Sequence, residues 1–341
     1  MNYDVTIGIP VYKSVDCIKQ SIESALSQSY SSIEFLIIDD AGHDGSIDII
    51  RDLQASHPRG KDIHIVSHTV NLGVSKSRNE IIEKAQGDYM YFMDSDDIIA
   101  PNTISLLMQK IRQYDAEIVF GSYEKIETSG KRTVYQYPSL QLLEKDALAV
   151  FAYRKYAGIQ ASACNYLVKT SLLRDNKICF IDTDYWEDLV FTFDLVTYVS
   201  RAVLLPDITY TYLCRDGSLS HYQQRKSITK DEIVQNVKAV NHLKLTSSIL
   251  YNKVYYPHRC FNIVMTDFYI VCNILKRRKD IQPFITNKEI KALMSHPATW
   301  GQISRFEESR LSNIMLFVLG KIPSFLCVTT IWCLGKIKKL I

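Results

Sequence analysis

The chain has 341 residues, of which 47% are hydrophobic and 23% charged, so it has the composition of a globular protein and ample length for a buried core. This composition excludes a disordered chain, a collagen-like chain, a small disulfide-rich protein and a polytopic membrane protein. Residues 1–120 contain 10 Lys and Arg and 18 Asp and Glu, residues 121–220 contain 11 and 12, and residues 221–341 contain 19 and 7. The net charges of the three parts are therefore −8, −1 and +12. The acidic part suits a site that collects cations, and the basic part suits an anionic surface, either lipid or nucleic acid.

The predicted elements alternate between short apolar runs and amphipathic segments. Apolar runs bounded by turn residues predict buried strands, and apolar spacings of three and four residues predict helices. In chain order we predict strand 5–11, helix 18–26, strand 33–38, helix 46–55, strand 63–66, helix 74–85, strand 89–93, a helix that opens at Pro101, and strand 118–120. Repeated strand–helix units predict an α/β fold, with a mainly parallel sheet covered by helices on both faces.

Polar residues follow each of the first four predicted strands: Tyr12-Lys13, Asp39-Asp40, Asn71-Leu72-Gly73 and Asp94-Ser95-Asp96-Asp97. Ligands of such sheets bind outside the carboxyl ends of the strands. At least five carboxylates would meet there and repel one another without a cation. Asp94 and Asp96 leave an extended segment on the same side, so the pair predicts Mg²⁺ or Mn²⁺ holding a diphosphate, with simple helix capping as the alternative for such acidic turns.

The ordered set of motifs resembles the family 2 inverting glycosyltransferases of the GT-A fold. The motifs that carry the resemblance are Pro10-Val11-Tyr12, Ile37-Ile38-Asp39-Asp40 with Gly42 and Ser46, Asn71-Leu72-Gly73 with Arg78-Asn79, Gly87-Asp88-Tyr89, Asp94-Ser95-Asp96-Asp97 with Pro101, and Glu187-Asp188. The resemblance covers roughly residues 3–220. It implies a nucleotide-diphospho-sugar transferase whose relatives build bacterial capsule, exopolysaccharide or O-antigen chains.

The resemblance implies a nucleotide-binding role for three residues near the start of the chain. Asp40 would accept the N3–H of uracil or thymine, a donor that cytosine lacks, so UDP-sugar or dTDP-sugar is the expected donor. Pro10 and Tyr12 would pack on the base and the ribose.

The resemblance assigns the leaving diphosphate to residues further along. Asp96 would bind the metal, and Asp94 the ribose or the metal. Arg78 would face the phosphates, its alternative being a solvated charge on a helix. Arg215 would add positive charge from a loop that closes over the diphosphate, and His221 a further metal or phosphate contact, with an exposed loop histidine as the alternative.

The resemblance makes Asp188 the catalytic base. Inversion needs one carboxylate that deprotonates the acceptor hydroxyl as it attacks, and a place in the first turn of a helix favours the ionised form. The alternative is a capping role. The segment Asn165-Tyr166-Leu167-Val168-Lys169 occupies the place of the family's segment between the donor and acceptor sites.

Residues 221–341 are predicted to be helical and basic, with apolar stretches at 311–319 and 325–334 that are each too short to span a membrane. Lys321 and Pro323 stand between them, and Lys336, Lys338 and Lys339 follow. We expect interfacial amphipathic helices on an anionic membrane, beside a polyprenyl-linked glycan acceptor, or alternatively a tail packed on the core. If the tail only anchors the protein, truncation before Leu311 should leave it folded.

The predicted domains are a GT-A domain over 1–220 and a basic helical extension over 221–341 with a membrane-associating tail at 311–341. Within the first, 1–120 would bind the donor and 121–220 would face the acceptor. The beginning of the chain lacks the basic stretch and long apolar run of a secretory signal, and the eight cysteines lack zinc-ligand spacing. We therefore expect a cytoplasmic protein with reduced cysteines, held on the inner face of the cell membrane.

Other classes fit the motifs less well. A receiver domain carries its Asp pair after the first strand, and a haloacid-dehalogenase enzyme needs DxDxT, whereas position 98 is Ile. GxGxxG and GxxxxGK[ST] are absent, which argues against a dinucleotide enzyme and a P-loop NTPase. A sugar-phosphate nucleotidyltransferase would need a Gly-rich, basic first loop. A non-catalytic membrane-surface or nucleic-acid-binding protein would leave the four acidic strand ends unexplained.

Overall fold

The computed structural model describes residues 3–154, 158–215 and 229–341. Its strands are β1 (Tyr3–Val11), β2 (Ile33–Asp39), β3 (Ile63–Ser67), β4 (Gly87–Phe92), β5 (Ile98–Ile99), β6 (Ile118–Ile126), β7 (Arg132–Tyr135), β8 (Leu140–Leu142), β9 (Tyr166–Lys169) and β10 (Ala202–Leu213). Its helices are α1 (Ile18–Leu26), α2 (Ser46–Ser56), α3 (Val74–Lys84), α4 (Thr103–Tyr114), α5 (Ala147–Arg154), α6 (Thr170–Asp175), α7 (Glu187–Leu195), α8 (Lys230–Thr246), α9 (Tyr256–Arg277), α10 (Asn287–Leu293), α11 (Trp300–Ile303), α12 (Arg310–Lys321) and α13 (Ser324–Ile337).

All ten strands belong to one sheet, whose main path runs β3-β2-β1-β4-β9-β6-β10-β5. The pairs β3–β2, β2–β1 and β1–β4 are parallel. β9 lies antiparallel between β4 and β6, and β10 is parallel to β6. The mainly parallel α/β sheet predicted from the sequence is therefore confirmed, with antiparallel strands added in its second half.

Strands β1, β2 and β4 are mostly buried, whereas β3 lies at the edge of the sheet and is only partly buried. Val5, Ile7 and Ile9 of β1 point to one face of the sheet, and Thr6 and Gly8 point to the other. All five residues are buried, so both faces of β1 are covered. A Cβ on Gly8 would lie 2.2 Å from Cγ2 of Ile81 on α3, so glycine lets that helix pack closely against β1. This packing fixes the carboxyl ends of β1 to β4 side by side.

The chain divides into two compact units. The first comprises residues 1–148, 161–184 and 195–221, and the second comprises 149–160, 185–194 and 222–341. The predicted boundary at 220–221 lies beside the last of these divisions. The segments 149–160 and 185–194 differ from the prediction, because they belong to the helical unit although they precede residue 221 in sequence.

A charged network lies in the interior of the second unit. The guanidinium of Arg259 on α9 is fully buried and donates to Asp194 Oδ1 at 2.9 Å, and its Nε donates to Ser247 Oγ at 2.9 Å. Arg259 also bonds the hydroxyl of Tyr153. His242 Nε2 meets Asp194 Oδ2 at 2.9 Å. These bonds tie 149–160 and 185–194 to the long helices that follow, which explains why the two segments join this unit.

The last two helices, α12 and α13, pack on the rest of the second unit with one face and expose further apolar side chains on the other. Their buried residues are Leu316, Leu319, Cys327, Val328 and Ile331, and their exposed apolar residues are Leu311, Met315, Val318, Phe325, Leu326, Trp332, Leu334 and Ile337. One face of the tail is thus packed on the core, as in the alternative interpretation, so truncation before Leu311 would uncover apolar side chains. The expectation of a folded truncated protein applied to a tail that only anchors the chain, and it stays a prediction. No helix within the described residues is long and apolar enough to cross a membrane.

Candidate functional site

The polar residues predicted at the strand ends meet at one edge of the first unit, because β3, β2, β1 and β4 are neighbouring parallel strands. Several backbone positions at this edge are strained. Lys13, Ala41 and His43 have φ of 50°, 56° and 51°, a region that non-glycine residues seldom adopt. Such conformations cluster where a protein shapes its backbone for a ligand.

Asp94 and Asp96 each pair with one arginine. Asp94 Oδ1 accepts from Arg78 Nη2 at 2.9 Å, and Asp96 Oδ2 accepts from Nε and Nη2 of Arg215 at 2.9 and 2.7 Å. The side chains of Asp94 and Asp96 are 31% and 18% exposed, so both carboxylates can be reached from solvent. Burial, and then the charge of Asp94, raise the pKa of Asp96, although Arg215 acts in the opposite direction.

Arg78 is buried, with its guanidinium carbon 5.3 Å from the centre of the Phe180 ring. It lies on α3 and crosses to the end of β4 to reach Asp94. The alternative in which Arg78 is a solvated helix charge is therefore wrong, since a buried guanidinium needs a partner and finds one in Asp94. Its contact with a phosphate stays a prediction.

Asp97 anchors the acidic turn to β10. Its side chain is fully buried, Oδ2 accepts from the hydroxyl of Tyr210 at 2.6 Å, and Oδ1 accepts from the N–H of Leu213 at 2.9 Å. Burial, followed by the charges of Asp94 and Asp96, raises the pKa of Asp97 well above its usual range. The fourth residue of the motif thus ties the turn to the end of β10.

Serines join the neighbouring loops to the acidic turn. Ser14 Oγ lies 2.7 Å from Ser95 Oγ, and the N–H of Ser14 donates to Ser46 Oγ at 3.0 Å. Asp44 accepts from the hydroxyl of Ser46 at 2.7 Å and from the N–H of Val15 at 2.9 Å. These bonds fix the loops after β1, β2 and β4 relative to one another. Ser14 and Asp44 were not predicted, and the only signal for them was the Asp-Gly-Ser turn before α2.

Asp40 anchors the loop that follows β3. It is only 3% exposed, Oδ1 accepts from the N–H of Leu72 at 2.7 Å, and Oδ2 accepts from the N–H of Gly73 at 2.9 Å. Nδ1 of His68 meets the same carboxylate at 2.7 Å. A carboxylate offers about four acceptor positions, so three are in use. That Asp40 accepts a hydrogen bond from a nucleotide base therefore stays a prediction, and it depends on the one acceptor position of the carboxylate that is left.

Pro10 and Tyr12 lie beside this loop system on the first strand and just after it. Pro10 is half-buried in β1, and Tyr12 is 43% exposed. The Nζ of Lys13 lies 5.1 Å from the centre of the Tyr12 ring. An exposed aromatic ring at the carboxyl end of the first strand is suited to stacking, and its contact with a base stays a prediction.

The metal prediction rests on two carboxylates in the described residues. His221 lies outside the described residues, as do all residues from 216 to 228. Within the described ranges, no group of three or more His, Cys, Asp and Glu side chains is placed to hold a metal ion. The chemistry of the Asp94–Asp96 pair fits Mg²⁺ or Mn²⁺, which accept few protein carboxylates and complete their shells with water and phosphate oxygens. Burial, and then the charge of Asp94, raise the pKa of Asp96, and a cation bound there would oppose both effects.

The candidate base belongs to the second unit. Asp188 lies half-buried in the first turn of α7, next to Glu187 and after Trp186, whose φ is 65°. Asn165, by contrast, is a structural residue of the first unit. Its amide donates to the carbonyl of Gly121 at 2.6 Å, and Thr209 donates to its oxygen at 2.6 Å.

This sheet with its acidic parallel-strand edge is the architecture of the GT-A glycosyltransferases, and a comparison of folds agrees. TarS of S. aureus, residues 1–349, crystallised with UDP-GlcNAc, superposes with a TM-score of 0.58 at 16% identity, covering 93% of this chain and 90% of that one. A mannosyltransferase, PcManGT of Pyrobaculum calidifontis, in complex with GDP-Man and Mn²⁺, gives a TM-score of 0.50 at 13% identity, covering 98% of this chain and 88% of that one. The predicted GT-A fold is confirmed.

Residues 6–170 match the sequence profile of Glycosyl transferase family 2. The chain is also 24% identical over 232 residues to glycosyltransferase GlyG of Streptococcus pneumoniae, covering 67% of this chain and 76% of GlyG. It is 28% identical over 221 residues to a poly(ribitol-phosphate) beta-glucosyltransferase of Bacillus spizizenii, covering 62% of this chain but only 33% of that protein. Residues 6–170 therefore carry the signature of a family 2 glycosyltransferase domain, in agreement with the family predicted from the sequence.

Proposed function

We propose that the protein transfers a sugar, with inversion, from a UDP-sugar or dTDP-sugar to a hydroxyl group of a glycan. The observation that carries this proposal is the pair Asp94 and Asp96 at the end of β4, with Arg78 on one carboxylate and Arg215 on the other. At this edge of the sheet the arginines would contact a diphosphate and the carboxylates would hold a cation bound to it. A nucleoside packed on Tyr12 would lead its phosphates toward that edge.

Positive charge on the leaving diphosphate is the main catalytic requirement of this reaction. Arg78 is buried and held in place by Asp94 and the Phe180 ring, so it would act without reorganising. Arg215 would exchange part of its contact with Asp96 for a phosphate oxygen. Asp96 and Asp94 would hold Mg²⁺ or Mn²⁺, which supplies further positive charge to the leaving group when bound.

Asp188 would accept the proton of the attacking hydroxyl. An inverting transfer needs one such carboxylate, and the N-terminal turn of α7 favours its ionised form. Glu187, one residue before it, is the alternative base.

The named neighbours support the choice of donor. TarS was crystallised with UDP-GlcNAc and with UDP, and PcManGT is known in complex with GDP-Man and Mn²⁺, so proteins of this fold hold nucleoside diphosphates and one holds a divalent cation. An aspartate at position 40 favours uracil or thymine over cytosine, because only the former carry an N3–H. We propose a hexosyl or N-acetylhexosaminyl group as the sugar.

We further propose that the acceptor is a polyprenyl-linked oligosaccharide of capsule, exopolysaccharide or O-antigen synthesis, reached at the inner face of the cell membrane. The exposed apolar face of α12 and α13 supports this placement. Beside it, a pocket of about 460 Å³ is lined by Lys288, Lys291 and Lys321 together with Phe317, and none of its lining residues in the described part of the chain is acidic. Such a surface suits anionic head groups next to acyl chains.

The central test is a screen of nucleotide-sugars for slow hydrolysis with and without Mn²⁺. We expect release of UDP or dTDP from one UDP-sugar or dTDP-sugar, abolished by EDTA. No hydrolysis of any donor, with no binding of UDP, would contradict the proposal and favour a non-catalytic surface protein. Pyrophosphate release from a sugar phosphate and a nucleoside triphosphate would instead indicate a nucleotidyltransferase.

Membrane association is tested by sedimentation with vesicles that contain or lack phosphatidylglycerol. We expect the full chain to pellet with the anionic vesicles, and high salt to weaken this. The double variant Lys288→Gln/Lys321→Gln should pellet less than Lys276→Gln/Lys279→Gln, which removes the same charge from exposed positions elsewhere in the second unit. Absence of pelleting would remove the membrane from the proposal and leave the chemistry untouched.

A further inference from the structure

His68 bridges two carboxylates at the donor edge. It follows β3 directly, its N–H donates to the carbonyl of Asp39 at 2.8 Å, and its side chain is 8% exposed. Nδ1 lies 2.7 Å from Asp40 Oδ1, and Nε2 lies 2.6 Å from Glu80 Oε2. Both ring nitrogens therefore meet carboxylate oxygens at short distances, although neither His68 nor Glu80 belongs to the motifs that the sequence presents.

Both contacts are hydrogen bonds only when the ring is protonated. A neutral imidazole has a single N–H, so the lone pair of its other nitrogen would point at a lone pair of a carboxylate oxygen, which is repulsive. Burial alone would lower the pKa of His68, but the bonds to Asp40 and Glu80 outweigh it and raise the pKa above its ordinary value. The charges that act on the ring are Asp40 at the end of β2 and Glu80 on α3, and Lys84 lies 3.6 Å from the other oxygen of Glu80.

The bridge continues through Asp40 into the loop before α3. The same carboxylate accepts from the N–H groups of Leu72 and Gly73, and Gly73 has φ of 90°, which a side chain would resist. The helix that starts at the next residue carries both Glu80 and Arg78. The path Glu80–His68–Asp40–Gly73 thus closes a ring of contacts around the loop at 71–73 and the first turn of α3.

We propose that His68 is a positioning residue of the donor site, which in its imidazolium form holds Asp40 against the loop at 71–73 and so keeps this loop ready for the nucleotide. The proposal rests on the proposed function, in which this edge binds a nucleoside diphosphate. The ring of His68 bonds Asp40 and Glu80 and neither of the proposed metal ligands Asp94 and Asp96, so its loss should weaken donor binding and leave the transfer step itself nearly unchanged.

The expected effect is on affinity, and it depends on pH. Below the raised pKa of His68, both bonds are present; as pH rises through that pKa, one bond is lost and the loop loosens. A charge-assisted hydrogen bond lost from a buried position corresponds to about 10-fold in affinity. We expect UDP to bind about 10-fold more weakly to His68→Gln, which keeps one donor and can never be charged.

The test is calorimetric titration of UDP into the full-length wild type, His68→Gln, Glu80→Gln and the control His64→Gln, from mildly acidic to mildly alkaline pH, with the pKa of His68 read by NMR. His64 lies on β3, the strand that His68 follows, and pairs with Glu34, away from the loop at 71–73. His68→Gln shows how the ionisation of UDP itself changes its affinity with pH. The wild type should lose more affinity than this as His68 deprotonates. Glu80→Gln should move the loss to lower pH, and His64→Gln should match the wild type. Thermal unfolding of each variant checks that it is folded.

Two outcomes separate this proposal from the one on which it rests. If the wild type binds UDP and both His68→Gln and Glu80→Gln bind it equally well with the same pH profile, His68 has no positioning role. If the wild type itself binds no UDP at any pH, the proposed donor site fails first, and the positioning role fails with it. Should His68→Gln not fold, the shift of the pH profile in Glu80→Gln decides the question.

Discussion

Each unit contains a carboxylate–arginine pair, and the pKa of the aspartate is shifted in opposite directions in the two pairs. Asp96 pairs with Arg215 in the first unit, and Asp194 pairs with Arg259 in the second. Burial raises the pKa of Asp96, and Asp94 raises it further, so that Arg215 does not compensate. Burial acts on Asp194 in the same direction, but His242 and Arg259 together hold its pKa below the usual range.

The difference teaches how a structural ion pair is told apart from a functional one. Asp194 is surrounded by donors, since His242, Arg259 and Thr246 all point at its two oxygens. Exposure does not separate the two carboxylates, because the side chains of Asp96 and Asp194 are 18% and 17% exposed. What separates them is the neighbouring charge, since Asp96 has Asp94 beside it while Asp194 has cationic and neutral donors. A carboxylate with a like charge beside it at a strand end can accept a cation, whereas a carboxylate surrounded by donors holds the fold together.

The largest effect should follow from removing Arg259. Arg259→Met keeps the side-chain volume but removes a fully buried guanidinium and leaves the partly buried Asp194 with a reduced set of donors, so we expect the free energy of unfolding to fall by about 3–5 kcal/mol. Urea unfolding measures the loss. Arg154→Gln is the control, because its pair with Glu308 is about half exposed and should change the free energy by less than about 1 kcal/mol. Equal effects in the two variants would contradict the comparison.

Asp96→Asn should have the opposite profile, with activity lost and the fold retained. The leaving diphosphate loses a metal ligand, so transfer should fall by roughly 10³-fold, about 4 kcal/mol of activation free energy. The unfolding transition should not move down, since the variant removes the repulsion between Asp94 and Asp96. Mn²⁺ should raise the melting temperature of the wild type and leave that of Asp96→Asn unchanged. A strongly destabilised variant would show that Asp96 is structural.

Asp188→Asn keeps the shape of the side chain and removes the proton acceptor. Donor binding should survive, while transfer to an acceptor hydroxyl should drop by roughly 10²-fold or more. Single-turnover transfer and UDP calorimetry measure the two quantities separately. Glu187→Gln serves as the neighbouring control, and if it rather than Asp188→Asn removes transfer, Glu187 is the base.

The smallest effect concerns acid stability. Asp194 has a folded-state pKa below its unfolded value of about 3.9, so its contribution to stability is present above that pH and is lost as pH falls through the lowered folded-state pKa. The difference in unfolding free energy between the wild type and Asp194→Asn should therefore shrink as the solution is acidified through this range. A difference that stays constant would show that the shift in the pKa of Asp194 is absent.

The strand ends illustrate what could be predicted from the sequence. Apolar periodicity placed β1 to β4 within a few residues, and the rule for parallel sheets brought Asp39-Asp40 and Asp94–Asp97 to one edge. The two arginines of this edge were also found, because they stand inside or beside recognisable motifs. The sequence did not separate Asp97, which is an anchor, from Asp94 and Asp96, since three acidic residues in one turn look alike until burial distinguishes them.

The sequence by itself determined most of the order of strands and helices in the first 120 residues, the acidic edge and the family of the domain, because these depend on periodicity and on motifs that lie close together in the chain. The tertiary structure decided the partners: His68 with Glu80, Asp97 with Tyr210, and Arg259 with Asp194. The residues in these pairs are 12, 113 and 65 positions apart. Hydrogen bonds need contact within about 3 Å, and no local pattern fixes which distant side chains achieve it. The charge state of each carboxylate follows from those contacts, so only the folded chain shows which aspartate is satisfied and which is open to a ligand.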